Sequence, residues 1–253
     1  MSCHLQGLSV LVTRPAAQAD KLCQLIEAAH GRPVRFPVME IEPLADTDAA
    51  QQLLGALQPS SLLIFVSANA VHHAFPLLPD ELPLDAQIAA VGRATAQALR
   101  ELGLEPSLLP AQGFNSEALL ELPQLQHPEH VIIVRGEGGR ELLKNELERR
   151  GAKVEYAEVY RRTVPRRKPD NLLRNWEQLV QAVVLTSVQM LDNLLQILGE
   201  QGTEKLRHTP IVVISERVAR RAYELGCRKL WIAPEPDDQA ILDTLCELRW
   251  TDE

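Results

Sequence analysis

The chain says the same thing twice. The run SVLVTRPAAQADKLCQLIEAAHGRPVRFPVMEIEPL (9–44) resembles VIIVRGEGGRELLKNELERRGAKVEYAEVYRRTVP (131–165). In the same order, LIFVSANAVHHAFPLL (63–78) resembles VVLTSVQMLDNLLQIL (183–198), and IAAVGRATAQALRELGLEPSLLPA (88–111) resembles IVVISERVARRAYELGCRKLWIAP (211–234). Partners lie about 120 residues apart, a period that means duplicated domains rather than a solenoid of short repeats. A chain of 253 residues is comfortable for two such domains.

Each repeated unit is a short apolar run followed by an amphipathic segment. The runs 8–13, 62–67, 88–92, 130–135, 182–186 and 210–215 predict buried parallel strands. The segments after them, such as AQADKLCQLIEAAHG and RELLKNELERRG, predict helices stopped by glycine. Strand and helix in alternation predict α/β domains with a parallel sheet flanked by helices. The first unit of each half ends in a long extended stretch, 32–44 and 153–165, and the prolines there suit edge or linker positions.

Aromatic residues make up only 4% of the chain, so the cores must be aliphatic. A net charge of −8 argues against general nucleic-acid binding but leaves room for a small anion on a local basic cluster. Cys3, Cys23, Cys227 and Cys246 form no CxxC pair, which points away from a zinc site or redox dithiol and suits free thiols in a reducing cytoplasm. No secretory leader or membrane span is expected.

In an open parallel sheet, ligands sit beyond the carboxyl ends of the strands. The six strand-to-helix turns read TRPAA, SANAV, GRATA, RGEGG, TSVQM and SERVA. They combine helix-capping hydroxyls, free backbone N–H groups and four arginines, Arg14, Arg93, Arg135 and Arg217, all of which favour anions. Capping alone explains any single turn; six such turns suggest a site for a polycarboxylate. RGEGGR has Gly136, Gly138 and Gly139, but Glu141 stands where a dinucleotide fingerprint needs its next glycine, and neither a GxxxxGK[ST] loop nor a Gly-x-Ser-x-Gly elbow is present. His72 and His73 lack neighbours at metal-ligand spacing and are read as surface or packing histidines. Chemistry without metal or cofactor is expected.

VLVTRP, FVSANAV, AVGRATAQAL, GAKVEYAEVYRRTVP and VVLTSVQM, in this order over nearly the whole chain, resemble the uroporphyrinogen-III synthase family. The resemblance implies two similar α/β domains joined by a two-stranded linker. One would be discontinuous, 1–37 with 168–253, the other would span 46–157, and 38–45 with 158–167 would form the linker. It implies hydroxymethylbilane, a linear tetrapyrrole with eight carboxylates, as substrate. Its terminal hydroxyl would leave as water, its last ring would invert, and the macrocycle would close to uroporphyrinogen III. It also implies a cytoplasmic monomer, in transient contact with the preceding enzyme of the pathway.

By position in these motifs, Tyr160 is the expected proton donor. Thr13 and Arg14, Ser67 and Asn69, Gly92, Arg93 and Thr95, Arg135 and Gly136, Thr186 and Ser187, and Ser215 and Arg217 are the expected substrate-binding residues of the six turns. The last turn departs from the family's frequent Gly-x-x-Thr-Ala. Alternation along the strand puts Arg162 on Tyr160's face and Arg161 opposite, so Arg162 joins the binding set. Arg166, Arg167 and Lys168 read as solvated linker. A hinge-type anion-binding protein or ligand sensor remains the alternative.

Overall fold

A computed structural model describes residues 3–83, 85–113 and 115–248. Residues 1–2 and 249–253 of the expected discontinuous domain, and 84 and 114 of the domain expected over 46–157, lie outside them. The described strands are β1 (Ser9–Val12), β2 (Arg32–Arg35), β3 (Glu40–Pro43), β4 (Leu62–Phe65), β5 (Gln87–Ala90), β6 (His130–Gly136), β7 (Lys153–Thr163), β8 (Ala182–Leu185), β9 (Ile211–Val213) and β10 (Leu230–Ile232). All six predicted strands form.

The chain divides into two compact units, Met1–Glu40 with Thr163–Glu253, and Ile41–Arg162. The first unit holds a sheet of order β10-β9-β8-β1-β2, and the second holds β3-β7-β6-β4-β5. Matching the repeats (β1 with β6, β2 with β7, β8 with β4, β9 with β5) gives the same strand order in both. The likeness extends to the rim: Leu108 makes a lone parallel bridge to Ala89 on β5, where β10 pairs with β9 in the other unit. Of the stretches 38–45 and 158–167, Glu40–Pro43 and the end of Lys153–Thr163 are neighbouring strands, β3 and β7, of the second unit's sheet.

Each sheet is buried because helices supply an apolar stripe at helical spacing. In the first unit, Ala19, Leu22, Cys23 and Ile26 of the helix Ala16–Ala28 pack on Val10 and Val12 of β1. Ile241 and Leu245 of the helix Asp238–Glu247 join the same cluster. Each of the leucines, isoleucines and valines contributes about 1.5–3 kcal/mol on full burial. Among the described residues no helix is long and apolar enough to cross a membrane.

The expectation of free thiols is corrected for one pair. Cys3 and Cys246 form a disulfide with Cα atoms 5.7 Å apart, tying the segment before β1 to the last helix. A separation of 243 residues hides this pair from any reading of local spacing. Cys23 and Cys227 are free and buried, and burial pushes both thiols up. Oxidised protein denatured without reductant is expected to titrate two thiols, and four after reduction. Reduction should also lower the unfolding temperature, since such links contribute about 2–4 kcal/mol; four thiols in both preparations would remove the link.

Candidate functional site

Both sheets carry polar turns in a row at their carboxyl edges. In the first unit the neighbouring strands β9, β8 and β1 lead to Ser215 and Arg217, to Thr186 and Ser187, and to Thr13 and Arg14. Thr13 is fully buried, its hydroxyl donating to the Val184 carbonyl at 2.7 Å. Arg14 pairs with Asp238. The Thr186 hydroxyl lies 3.1 Å from the Met190 sulfur, and Ser187 caps the helix Val188–His208 by accepting from the Met190 N–H. Ser215 starts the helix Glu216–Glu224 without a side-chain cap bond, and Arg217 is exposed. In this row several of the expected donors are therefore already engaged within the unit.

The second unit brings its residues closer together. Parity explains how. Leu63 and Phe65 of β4 and Ile132 and Val134 of β6 face one core cluster, while Leu62, Ile64, Val131 and Ile133 face another. Ser67 and Gly136 continue the first face. On β7, Val154 and Tyr156 pack with the second cluster and Ala157 and Val159 with the first. Strict alternation would send Tyr160 to the second face. The register instead shifts at this point: Arg135 pairs with Glu158, and Gly136 with Tyr160, leaving Val159 as one extra residue. This bulge swings Tyr160 onto the first face, a common way for a strand to re-aim a side chain near a site.

Tyr160 then lies across β6. Gly136 has no side chain there, and a Cβ on it would stand 2.5 Å from ring atoms Cε2 and Cζ of Tyr160. The bare glycine lets the phenol reach past its neighbouring strand toward the end of β4, two strands and roughly 10 Å away. Its hydroxyl sits 3.2 Å from Ser67 Oγ and accepts from Arg162 Nη2 at 3.0 Å. The Arg162 guanidinium also stands 5.3 Å from the ring centroid. The His73 imidazole stacks on the ring at 5.6 Å. Backbone holds the strand as well: the Glu137 N–H donates to the Tyr160 carbonyl at 2.7 Å. Tyr160 is only 1% exposed, while Ser67 and Arg162 are partly exposed.

Ser67 is also the cap of the helix Ala68–Ala74, accepting from the Ala70 N–H at 3.1 Å. That short helix thus supplies both Ser67 and His73. Burial, with His72 beside it, lowers the His73 pKa and keeps the ring neutral near pH 7. The sequence alone marks His73 only as a surface or packing residue; its packing partner is the central tyrosine. The signal available is its place on the helix that begins within SANAV.

Arg135 points to the other face. It is 4% exposed and donates to the carbonyls of Gly136 and Gly138 and to Glu141. It also covers the Tyr156 ring at 4.4 Å. Gly138 and Gly139 adopt φ of +66° and +113°, which glycine takes without strain, and so fold the loop around that guanidinium. Tyr156 donates to Glu141 at 2.7 Å; burial first, then this bond, pushes its phenol up to about 12. Arg135 therefore shapes the loop after β6, and its guanidinium and that of Arg162 both border Gly139. At the β5 turn, Gly92 caps the helix Arg93–Glu101, Arg93 is exposed and Thr95 is buried. Asn69 is partly exposed beside Ser67. Arg161 is exposed and pairs with Glu42 of β3 at 2.9 Å, while Arg166, Arg167 and Lys168 are exposed.

Two α/β units with one strand order, each with polar turns lined up at the carboxyl edge of a parallel sheet, define a duplicated two-domain α/β protein. The known proteins it resembles narrow this further. A family model described as uroporphyrinogen-III synthase HemD matches residues 20–243. The uroporphyrinogen-III synthase of Escherichia coli K12 is 33% identical, over 94% of this chain and all of that protein. That of Salmonella typhimurium is 31% identical, again over 94% and 100%. The chain belongs to the uroporphyrinogen-III synthase family. Crystal structures of uroporphyrinogen III synthases share the fold: a mutant from Thermus thermophilus at TM-score 0.66 and 20% identity, covering 98% and 100% of the two chains, and one from Helicobacter pylori at 0.63 and 16%, covering 97% and 100%.

Proposed function

We propose that this protein is a uroporphyrinogen-III synthase, a cyclising hydro-lyase acting on hydroxymethylbilane. The observation that carries the reading is the match to that family over residues 20–243. The Tyr160 cluster supports it with suitable chemistry. The reaction needs a proton for the departing hydroxyl, while the electrons that expel it come from the adjacent pyrrole. It then needs the chain ends held so that closure follows ring inversion, a positioning task.

Tyr160 is the proton donor in this reading, with Arg162 placed to hold the phenolate left behind. Asn69, Gly92, Arg93, Thr186, Ser187, Ser215 and Arg217, with the backbone N–H groups of their helix starts, are the donors offered to substrate carboxylates. Thr13, Arg14 and Arg135 support those turns through the contacts described above, and Thr95 is buried at its own. A cytoplasmic monomer, in transient contact with the enzyme that makes hydroxymethylbilane, goes with this assignment; in a reducing cytoplasm Cys3 and Cys246 would stand as thiols.

Purified protein given freshly made hydroxymethylbilane is expected to yield the type III isomer, read by chromatography of the oxidised porphyrins. Accumulation of the spontaneous type I isomer alone would remove the assignment.

A further inference from the structure

Among the described residues, one hydrogen-bond partner of the buried phenol can accept its proton. We infer that Ser67 is the outlet for that proton, so that the group meeting the departing hydroxyl is the serine and Tyr160 recharges it. This rests on the reading of Tyr160 as proton donor. Tyr160 is 1% exposed, so direct contact with a bulky substrate is blocked, whereas Ser67 is partly exposed. The hydrogen bonds set the direction. Arg162 can only donate, and it occupies one lone pair of the phenol oxygen. The other polar group on that oxygen among the described residues is Ser67 Oγ. Were the serine to donate to the tyrosine, the phenol hydrogen would be buried without an acceptor, which is costly. The favoured arrangement is therefore Tyr160 O–H to Ser67 Oγ, with the serine also accepting from the Ala70 N–H. Its own hydrogen is then left to point outward.

The step balances. Ser67 gives its proton to the substrate's terminal hydroxyl as the carbon–oxygen bond breaks, and water leaves with the bonding electrons. In the same motion Ser67 takes the phenol proton. The resulting phenolate faces the Arg162 guanidinium, and the adjacent pyrrole carries the positive charge on the substrate. Proton return after cyclisation follows the same path in reverse.

The test separates the hydroxyl from the cap. Glycine is tolerated at a helix N-cap almost as well as serine, so Ser67→Gly removes the relay while leaving the helix Ala68–Ala74 in place. Ser67→Thr keeps both. In single-turnover assays the glycine variant is expected to lose about tenfold or more in rate, the order of a proton-transfer contribution, with an unfolding temperature near that of the wild type. The threonine variant should recover most of the lost rate. Rates in mixtures of light and heavy water should curve downward for the wild type, as two protons moving together require. A glycine variant as fast as the wild type, or a straight line in the isotope mixtures, overturns the relay while leaving the synthase assignment standing. A wild type that makes only type I product fails the assignment, and the relay with it.

Discussion

Tyr160→Phe is expected to slow type III formation by at least about tenfold, the low end of general acid catalysis, and to leave the protein folded. The phenyl ring keeps the volume that fills the space over Gly136 and beneath His73, so the second unit's core stays packed. Only the hydroxyl goes. Arg162 is partly exposed and turns to water, and Ser67 keeps its bond to Ala70. The stability cost is therefore that of two lost hydrogen bonds whose partners stay satisfied, about 1–3 kcal/mol. A packing tyrosine would give that small stability loss with an unchanged rate; a proton donor gives a rate loss far larger than the stability change explains. Single-turnover kinetics beside a thermal melt distinguishes the two, and wild-type turnover would take Tyr160 out of the mechanism.

The sequence carries the architecture because the duplication repeats a coarse pattern. Runs such as LLIF at 62–65 and AVVL at 182–185 are buried on both faces, and continuous apolar character survives divergence. Strand β10 escapes a sequence reading because Leu230–Ile232 is only partly buried at the sheet edge, although its segment aligns with the one that contributes Leu108. Local alternation correctly joins Arg162 to Tyr160. It cannot show that both have crossed to the other face, because one extra residue in a strand leaves no mark in composition. In sequence the donors at the turns look like one kind. Their fates differ for reasons of distant contact: Thr13 spends its hydroxyl on Val184 and Arg14 pairs with Asp238, partners more than a hundred residues away. Arg135 stands out in sequence for its charge at a turn, yet its strand parity aims it at Tyr156 and the loop it organises.

Gly136 should be as sensitive as the tyrosine, for a reason of space rather than chemistry. In sequence it reads as a source of backbone N–H at a polar turn. The structure gives it another task, since an added methyl carbon would lie 2.5 Å from two atoms of the Tyr160 ring and 3.0 Å from a third. The ring cannot yield easily: it is 1% exposed and belongs to the core cluster with Phe65, Val134 and Val159. Gly136→Ala is expected to destabilise by about 1–3 kcal/mol, the usual cost of overpacking. It should also pull the hydroxyl off Ser67 and Arg162, so activity falls at least as far as in Tyr160→Phe. Removing the ring tests whether the two residues are coupled. Tyr160→Ala alone leaves a cavity and should cost about 3–5 kcal/mol, like other large-to-small aromatic changes. In the double variant the new methyl has no ring to strike and fills part of that space. The pair should therefore be more stable than the sum of the single changes by about 1 kcal/mol or more, well outside the scatter of independent sites. Strictly additive unfolding energies from chemical denaturation would mean that the tyrosine does not lie across β6, and the site built around that crossing would have to be abandoned.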